Sequence, residues 1–242
     1  MKVERGSQIK EGKAKILYET QPVGDCIVQH FKDDATAFNA LKKGQIRNKG
    51  AINNTITSWI FPYLEKQGVA THFVEQLSER EMLVKKVDII PVEVVIRNRA
   101  AGSICKRLGL AKGESFKTPL IEYFYKSDEL GDPLIGETHI AYFQWATPSE
   151  LNQMKEKAFK VNAALQYVFS EIGLELVDFK IEFGRHATGV LLADEFSPDG
   201  SRLWDLKTGE SMDKDRFRQD LGRVDETYEE VYQRLQKFFE RK

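Results

Sequence analysis

From Leu176 to Gly184 the chain reads Leu-Val-Asp-Phe-Lys-Ile-Glu-Phe-Gly, an alternation that an extended strand sorts into two faces. Asp178, Lys180 and Glu182 project to one side, and Val177, Phe179, Ile181 and Phe183 line the other. The apolar side needs a core packed upon it, which commits the chain to a sheet. Taken alone, the charged side describes a half-solvated strand with its own ion pairs. A second strand over residues 190–193 follows through residues 184–189 and runs straight into Asp194-Glu195. A hairpin would bring Asp194 near Glu182, in a register the sequence leaves open. Two carboxylates from neighbouring strands suit magnesium, which takes hard oxygen ligands and completes its shell with water and nucleotide phosphates. A lysine among them fits a site where anionic substrates crowd together.

The remaining pattern places other elements around this pair. Residues 8–20 read as a hairpin whose loop is Glu11-Gly12-Lys13-Ala14-Lys15. Ile52, Ile56, Trp59, Ile60 and Tyr63 recur at helical spacing, predicting a helix over 51–67 that Pro62 kinks or ends early. Residues 82–87 and 89–96 read as strands, with Pro91 as a break or an edge, and a short helix is expected near 104–108. Thr147-Pro148-Ser149-Glu150 supplies an N-cap, a proline at the first helical position and a glutamate at N3. Its helix buries Leu151, Met154, Ala158, Val161, Leu165 and Val168 and stops at Gly173. An amphipathic helix over 225–239 closes the chain. Strands and helices without regular β-α alternation indicate an α+β fold.

Composition narrows the partners. Acidic and basic residues number 37 and 36 among 242, a balance unlike that of a nucleic-acid-binding surface. Nothing approaches the roughly 20 apolar residues needed to cross a bilayer, and no secretory signal opens the chain. Cys26 and Cys105 form no metal or redox motif, and His30, His72, His139 and His186 are scattered. A soluble protein of the reducing cytoplasm, with nucleic acid disfavoured as its main partner, is the expectation.

Several other segments carry charge in a pattern suited to anions. Arg97-Asn98-Arg99-Ala100-Ala101-Gly102-Ser103 sets arginines at a strand end and small residues at a helix start, an arrangement that either binds a phosphate ester or simply caps the helix. Gly12-Lys13-Ala14-Lys15 lacks the spacing of a P-loop and is either a phosphate-covering loop or a solvated turn. Ser197-Pro198-Asp199-Gly200-Ser201-Arg202 is a turn, either at the bare surface or throwing Arg202 back toward Asp194-Glu195. Met212-Asp213-Lys214-Asp215-Arg216-Phe217-Arg218 reads as a solvated helix face or a carboxylate-binding segment. Lys126 and Asp132 stand in what reads as a loop.

Taken together these segments resemble the SAICAR synthetase (phosphoribosylaminoimidazole-succinocarboxamide synthase) family of purine biosynthesis, nearly end to end. The resemblance is carried by Ile90-Pro91-Val92-Glu93-Val94-Val95-Ile96-Arg97-Asn98-Arg99-Ala100-Ala101-Gly102-Ser103 and by residues 176–184, with support from 11–15, 194–205 and 212–222. It implies a two-lobed α+β fold with a kinase- or ATP-grasp-like nucleotide cleft, divided into a β-rich lobe at 1–89 and a larger lobe at 90–242. It implies an ATP- and magnesium-dependent ligase that joins carboxyaminoimidazole ribonucleotide to L-aspartate through an acyl phosphate, in a homodimer. By the same resemblance, Lys13, Ala14 and Lys15 hold ATP phosphates, and Lys85, Val87 and Ile89 lie beside adenine. Glu182 and Asp194 ligate magnesium, while Lys180 and Asp178 are the catalytic pair. Arg97, Ser103 and Arg202 bind the ribonucleotide phosphate, Lys214 and Arg218 the aspartate carboxylates, and Lys126 and Asp132 the junction of nucleotide and substrate. One departure stands at residues 42–50, where relatives commonly offer an acid near Gly44 or Gln45. A phosphotransferase with another acceptor and a non-catalytic nucleotide-binding module are the competing readings.

Overall fold

The strand predicted at 176–184 is the spine of the molecule. In a computed structural model that describes residues 3–22, 24–37 and 41–241, it extends over Leu174–His186. The chain reaches it through β1 (Glu4–Glu11), β2 (Lys15–Gln21), β3 (Cys26–Phe31), β4 (Asp34–Ala37), β5 (Lys42–Gln45) and α1 (Lys49–Lys66). Then come β6 (Phe73–Gln76), β7 (Glu81–Lys85), β8 (Asp88–Ile89), β9 (Val92–Arg99), α2 (Ser103–Leu108), β10 (Ser115–Tyr125), β11 (Leu134–Ile135), α3 (Glu137–Tyr142) and α4 (Pro148–Glu171). The spine is β12, followed by β13 (Gly189–Ala193), β14 (Ser201–Asp205), α5 (Asp215–Arg218) and α6 (Val224–Phe239).

An antiparallel sheet in the order β1-β2-β3-β7-β6 forms one layer, and β11-β10-β9-β12-β13 another, with β14 and β8 also paired to β12. Along one edge β12 pairs first with β9 and then with β8, which Pro91 separates as its missing N–H requires. Along the other it pairs with β14 over residues 174–179 and with β13 over residues 182–186. The chain between those two partners, residues 194–200, therefore crosses the sheet at Lys180, whose N–H donates to Gly200. The register of β12 against β14 slips between Leu176 and Asp178. Leu174 and Leu176 thereby join Phe179, Ile181 and Phe183 in the main core, which excludes Val177 although it too is buried.

That core lies between the second sheet and α1, α4 and α6. Met154, Ala158, Val161, Leu165 and Val168 face it as the helical spacing predicts, with Leu151 only partly buried at its margin, and Thr147 and Glu150 close the expected capping box. α1 runs through Pro62 to Lys66; with Ile60, Phe61 and Leu64 fully buried, packing outweighs the backbone bond that proline removes. A smaller core of Ile27, Phe31, Met82 and Val84 serves the first sheet. The two sheets meet where Thr71 bridges Leu192 in parallel and His72 accepts from Lys85 N on its other side.

Two expectations are corrected, and one strand was not foreseen. Residues 184–186 continue β12 rather than forming a connection, and the turn is confined to residues 187–188. Lys126 and Asp132 lie in a loop as expected, but that loop follows an unforeseen strand, the eleven-residue β10, antiparallel to β9; Pro119 and the slip between Ser115 and Leu120 break its alternation. The segment 212–218 is one short turn of helix with Asp213, Asp215 and Arg216 buried: Arg202 from β14 and the segment's own Arg218 neutralise Asp215, and Asp213 accepts from the main-chain N–H groups of Leu203 and Asp215.

Candidate active site

The two carboxylates of the charged face of β12 are buried, Asp178 and Glu182 each 3% exposed, while the Lys180 side chain between them is 33% exposed. Charges can be held there because each meets an opposite charge delivered by another element. Glu182 pairs with Ala193, so the residue after it, Asp194, leaves β13 beside the carboxylate. Asp194 takes a left-handed conformation, φ 63°, which turns the chain out of the sheet. Its carboxylate accepts a hydrogen bond from Lys15 Nζ, which also lies 2.9 Å from Glu195 Oε2. Lys180 Nζ donates to Glu93 Oε1 and to Glu182 Oε1, both at 2.6 Å, and Lys126 Nζ reaches Glu182 Oε1 at 2.7 Å.

Three ammonium groups thus face the carboxylates of Glu93, Glu182, Asp194 and Glu195. Burial opposes ionisation of Asp194 and Glu182, but the neighbouring lysines outweigh it and hold both carboxyls below their ordinary range. Burial wins at Glu93, whose carboxyl is raised. Lys180 is pushed well above the ordinary lysine value: burial acts against its charge, and Glu182 and Glu93 override it. It is a permanent cation here. Among the described residues there is no group of three metal-binding side chains; Glu182 and Asp194 are hard-oxygen donors of the kind that could hold a magnesium ion arriving with phosphates.

Two pleats back along β12, a second cluster surrounds Asp178. Arg97 Nη1 donates to Asp178 Oδ2 at 2.7 Å and its Nε to Glu122 at 2.5 Å, and its Nη2 lies 3.4 Å from Ser103 Oγ. Arg202 Nη1 donates to both Asp178 oxygens at 3.0 and 3.1 Å, and its Nε to Asp215 at 2.8 Å. Arg202 therefore turns to Asp178 and Asp215, not back to Asp194-Glu195. Its guanidinium lies over Gly102, where a Cβ would come within 2.6 Å of Nη2, and φ there is +66°. Only glycine admits this contact. A cleft of about 140 Å³ opens beside the cluster, lined by Arg97, Lys180, Arg202 and Arg218 among others. Lys214 donates to Asp199, which also accepts from the buried Lys49, and Arg218 donates to Asp215.

The other expected residues divide. Lys15 reaches the cluster; Lys13 instead pairs with the exposed Asp128 at 2.7 Å, and Ala14 O accepts from Lys32 N. Lys85 ends β7 and donates to Thr71 O, while Val87 packs against Gly184, where a Cβ would lie 2.5 Å from Val87 Cγ2. Ile89 pairs with Gly184. Asp132 caps its own turn, accepting from Ser127 N. At the departure from the family pattern, Gly44 faces the ring of Phe217, 3.0 Å from where its Cβ would be, and Gln45 bonds Asp34.

Sequence reasoning passed over Glu93, Glu195, His72, Lys49 and Asp199. Two of these carried a signal: Glu93, a carboxylate inside an apolar strand, and Glu195, the neighbour of Asp194 in the acidic pair.

A buried lysine–carboxylate cluster, joined by one strand to a guanidinium-lined cleft, defines an enzyme that assembles several anionic small molecules. Comparison with known proteins places it. The profile of the SAICAR synthetase family matches residues 8–235. The phosphoribosylaminoimidazole-succinocarboxamide synthase of Caldanaerobacter subterraneus subsp. tengcongensis is 55% identical over 234 residues, covering 97% of this chain and 99% of that protein. The crystal structure of the Ehrlichia chaffeensis phosphoribosylaminoimidazole-succinocarboxamide synthase superposes with a TM-score of 0.92 at 48% identity, over 95% of this chain and 98% of that one. A SAICAR synthetase in complex with ADP superposes with a TM-score of 0.89 at 43% identity, over 93% and 96%. The chain belongs to the SAICAR synthetase family.

Proposed function

We propose that the β12 site performs the family's reaction as follows. The enzyme is an ATP-dependent ligase of purine biosynthesis that forms an amide between the carboxylate of carboxyaminoimidazole ribonucleotide and the amine of L-aspartate, with ADP and phosphate released. The observation that carries the assignment of residues is the placement of the Asp178 and Glu182 clusters four residues apart on one strand. They are separated by about 13 Å, the scale of a small ribonucleotide. Arg97, Ser103 and Arg202 receive the phosphate ester, with Asp178 orienting both guanidiniums, and the imidazole carboxylate points toward Lys180.

ATP enters over Lys13, Ala14 and Lys15, with adenine against Lys85, Val87 and Ile89 and with Lys126 and Asp132 at the junction. A carboxylate is a poor electrophile until one oxygen becomes a leaving group. Transfer of the γ-phosphoryl group to that oxygen gives an acyl phosphate, and the aspartate amine then forms the C–N bond as phosphate departs. Lys180, permanently charged, neutralises the reacting oxygens rather than accepting a proton. Lys214 and Arg218 hold the aspartate carboxylates. Glu182 and Asp194 would hold magnesium, which would supply charge neutralisation to the phosphates.

The reading divides the chain into lobes at 1–89 and 90–242, with α1 reaching from the first into the core of the second. It places the enzyme in the cytoplasm as a homodimer, without nucleic-acid or membrane partners; among the described residues no helix is long and apolar enough to cross a membrane. ADP release measured with each substrate omitted in turn tests the activity: it should need both aspartate and the ribonucleotide. Aspartate-independent release would indicate a phosphotransferase.

A further inference from the structure

Lys49 opens α1 and is 1% exposed. A cation at that place is opposed twice, by burial and by the positive end of the helix dipole, so neither the helix nor the core gains from its charge. Its Nζ donates to Asp199 Oδ2 at 3.1 Å. Asp33, the carboxylate that accepts from the adjacent Gly50 N, is held instead by both Nη atoms of Arg80, at 2.7 and 2.9 Å.

Asp199 gathers donors from three parts of the chain. Lys49 and Lys214 share Oδ2, at 3.1 and 2.9 Å, while Asn53 Nδ2 and Tyr228 Oη reach Oδ1 at 3.1 and 2.8 Å. The residue lines the cleft beside Arg202 and Arg218. Burial opposes ionisation of its carboxyl, but Lys49, followed by Lys214, outweighs it and holds the group far below its ordinary range. Two ammonium groups therefore meet a single carboxylate, and one positive charge is left over. Lys49 is sealed inside, so a ligand can meet that charge only at Lys214, whose side chain is 12% exposed.

We infer that Lys49 is a positioning residue that acts through Asp199: by answering the Asp199 charge from the first turn of α1, it leaves the Lys214 ammonium held in place yet available to an anionic group of the substrate. This rests on the reading of Lys214 as a partner of the aspartate carboxylates. Without Lys49, Asp199 and Lys214 form a self-neutral pair, and a substrate carboxylate competes with Asp199 for one cation.

Steady-state kinetics on the full chain, with aspartate and ATP varied in turn, tests this in Lys49→Met, Lys49→Met/Asp199→Asn and Lys214→Met. Lys49→Met should raise KM for aspartate at least about tenfold, the scale of one charge-assisted bond, and leave KM for ATP within about twofold. The double variant again has one cation with no carboxylate to answer it, so its KM for aspartate should return to within about threefold of the unsubstituted enzyme. A purely structural Lys49 would not be rescued by removing its partner as well. An unchanged KM for aspartate in Lys49→Met overturns the inference, as does a double variant no better than the single one. If Lys49→Met does not fold, the double variant decides alone, and a tenfold rise there overturns the inference. Lys214→Met separates this from the reading beneath it: an unchanged KM for aspartate there removes Lys214 from aspartate binding and overturns both, whereas a rise there beside an unchanged Lys49→Met overturns the inference alone.

Discussion

The Lys180 ammonium lies 2.6 Å from Glu182 Oε1, two residues along the same strand, and equally close to Glu93 Oε1 from the neighbouring one. The cation that the reacting carboxylate would meet is thus held from both sides before any substrate arrives. Replacing it by methionine leaves two buried carboxylates facing each other and, in the proposed reaction, removes the charge at the reacting oxygens. Lys180→Met should lower kcat on the order of 10²–10³-fold, read as ADP release at saturating substrates. A loss below threefold would remove Lys180 from the chemistry.

Arg202 spans two carboxylates, Asp178 through Nη1 and Asp215 through Nε, with a planar guanidinium that an ammonium cannot reproduce. Arg202→Lys should raise KM for the ribonucleotide roughly 10- to 100-fold, the range for losing one charge-assisted bond, and leave KM for ATP within about twofold. Steady-state kinetics with each substrate varied separates the two; a rise confined to ATP would place the phosphate ester elsewhere.

The capping glutamate of α4 makes stability depend on pH. Arg185 donates to Glu150 at 2.6 and 3.1 Å and Thr147 N at 2.8 Å, and the Arg185 bond leads in holding this carboxyl down to about 2. A lowered folded value means stability present above the ordinary carboxyl range of about 4.5 and lost as pH falls toward 2. Glu150→Gln should therefore cost about 1–2 kcal/mol at pH 7. In urea titrations the difference from the unsubstituted protein should shrink progressively below pH 4.5. A constant difference from pH 7 to pH 2.5 would contradict the assignment.

Gly184 is set by its neighbour. Its Cβ would stand 2.5 Å from Val87 Cγ2 and 2.7 Å from Val87 Cβ, so Gly184→Ala should destabilise by about 1–3 kcal/mol and raise KM for ATP. Truncating the obstacle in Gly184→Ala/Val87→Ala should recover part of the stability, a coupling visible in a double-mutant cycle of urea midpoints. Strict additivity would mean that the strain lies elsewhere.

Which of these features could be read beforehand follows from the range of the interactions. The capping box of α4, its buried stripe and the alternation of β12 are local patterns, and each stands where the residues indicate. What the alternation could not tell was the fate of its charged face, since burial of Asp178 depends on Arg97 and Arg202, 81 and 24 residues away. β10 was hidden by Pro119 and a register slip, and with it the strand that delivers Lys126 to Glu182. His72 and Lys49 look like isolated polar residues until the sheets and helices close around them. The gathering of Arg97, Ser103 and Arg202 was expected from family resemblance, and the vacancy that glycine leaves at residue 102 is its physical basis.

In the proposed reaction the γ-phosphoryl group of ATP passes to a carboxylate oxygen, which then leaves with the phosphate. With both carboxylate oxygens of the imidazole ribonucleotide labelled with ¹⁸O, mass spectrometry of the phosphate released in the presence of ATP and aspartate reads this directly. One labelled oxygen in the phosphate, with the other retained in the product amide, is the predicted result. Phosphate free of label would contradict it.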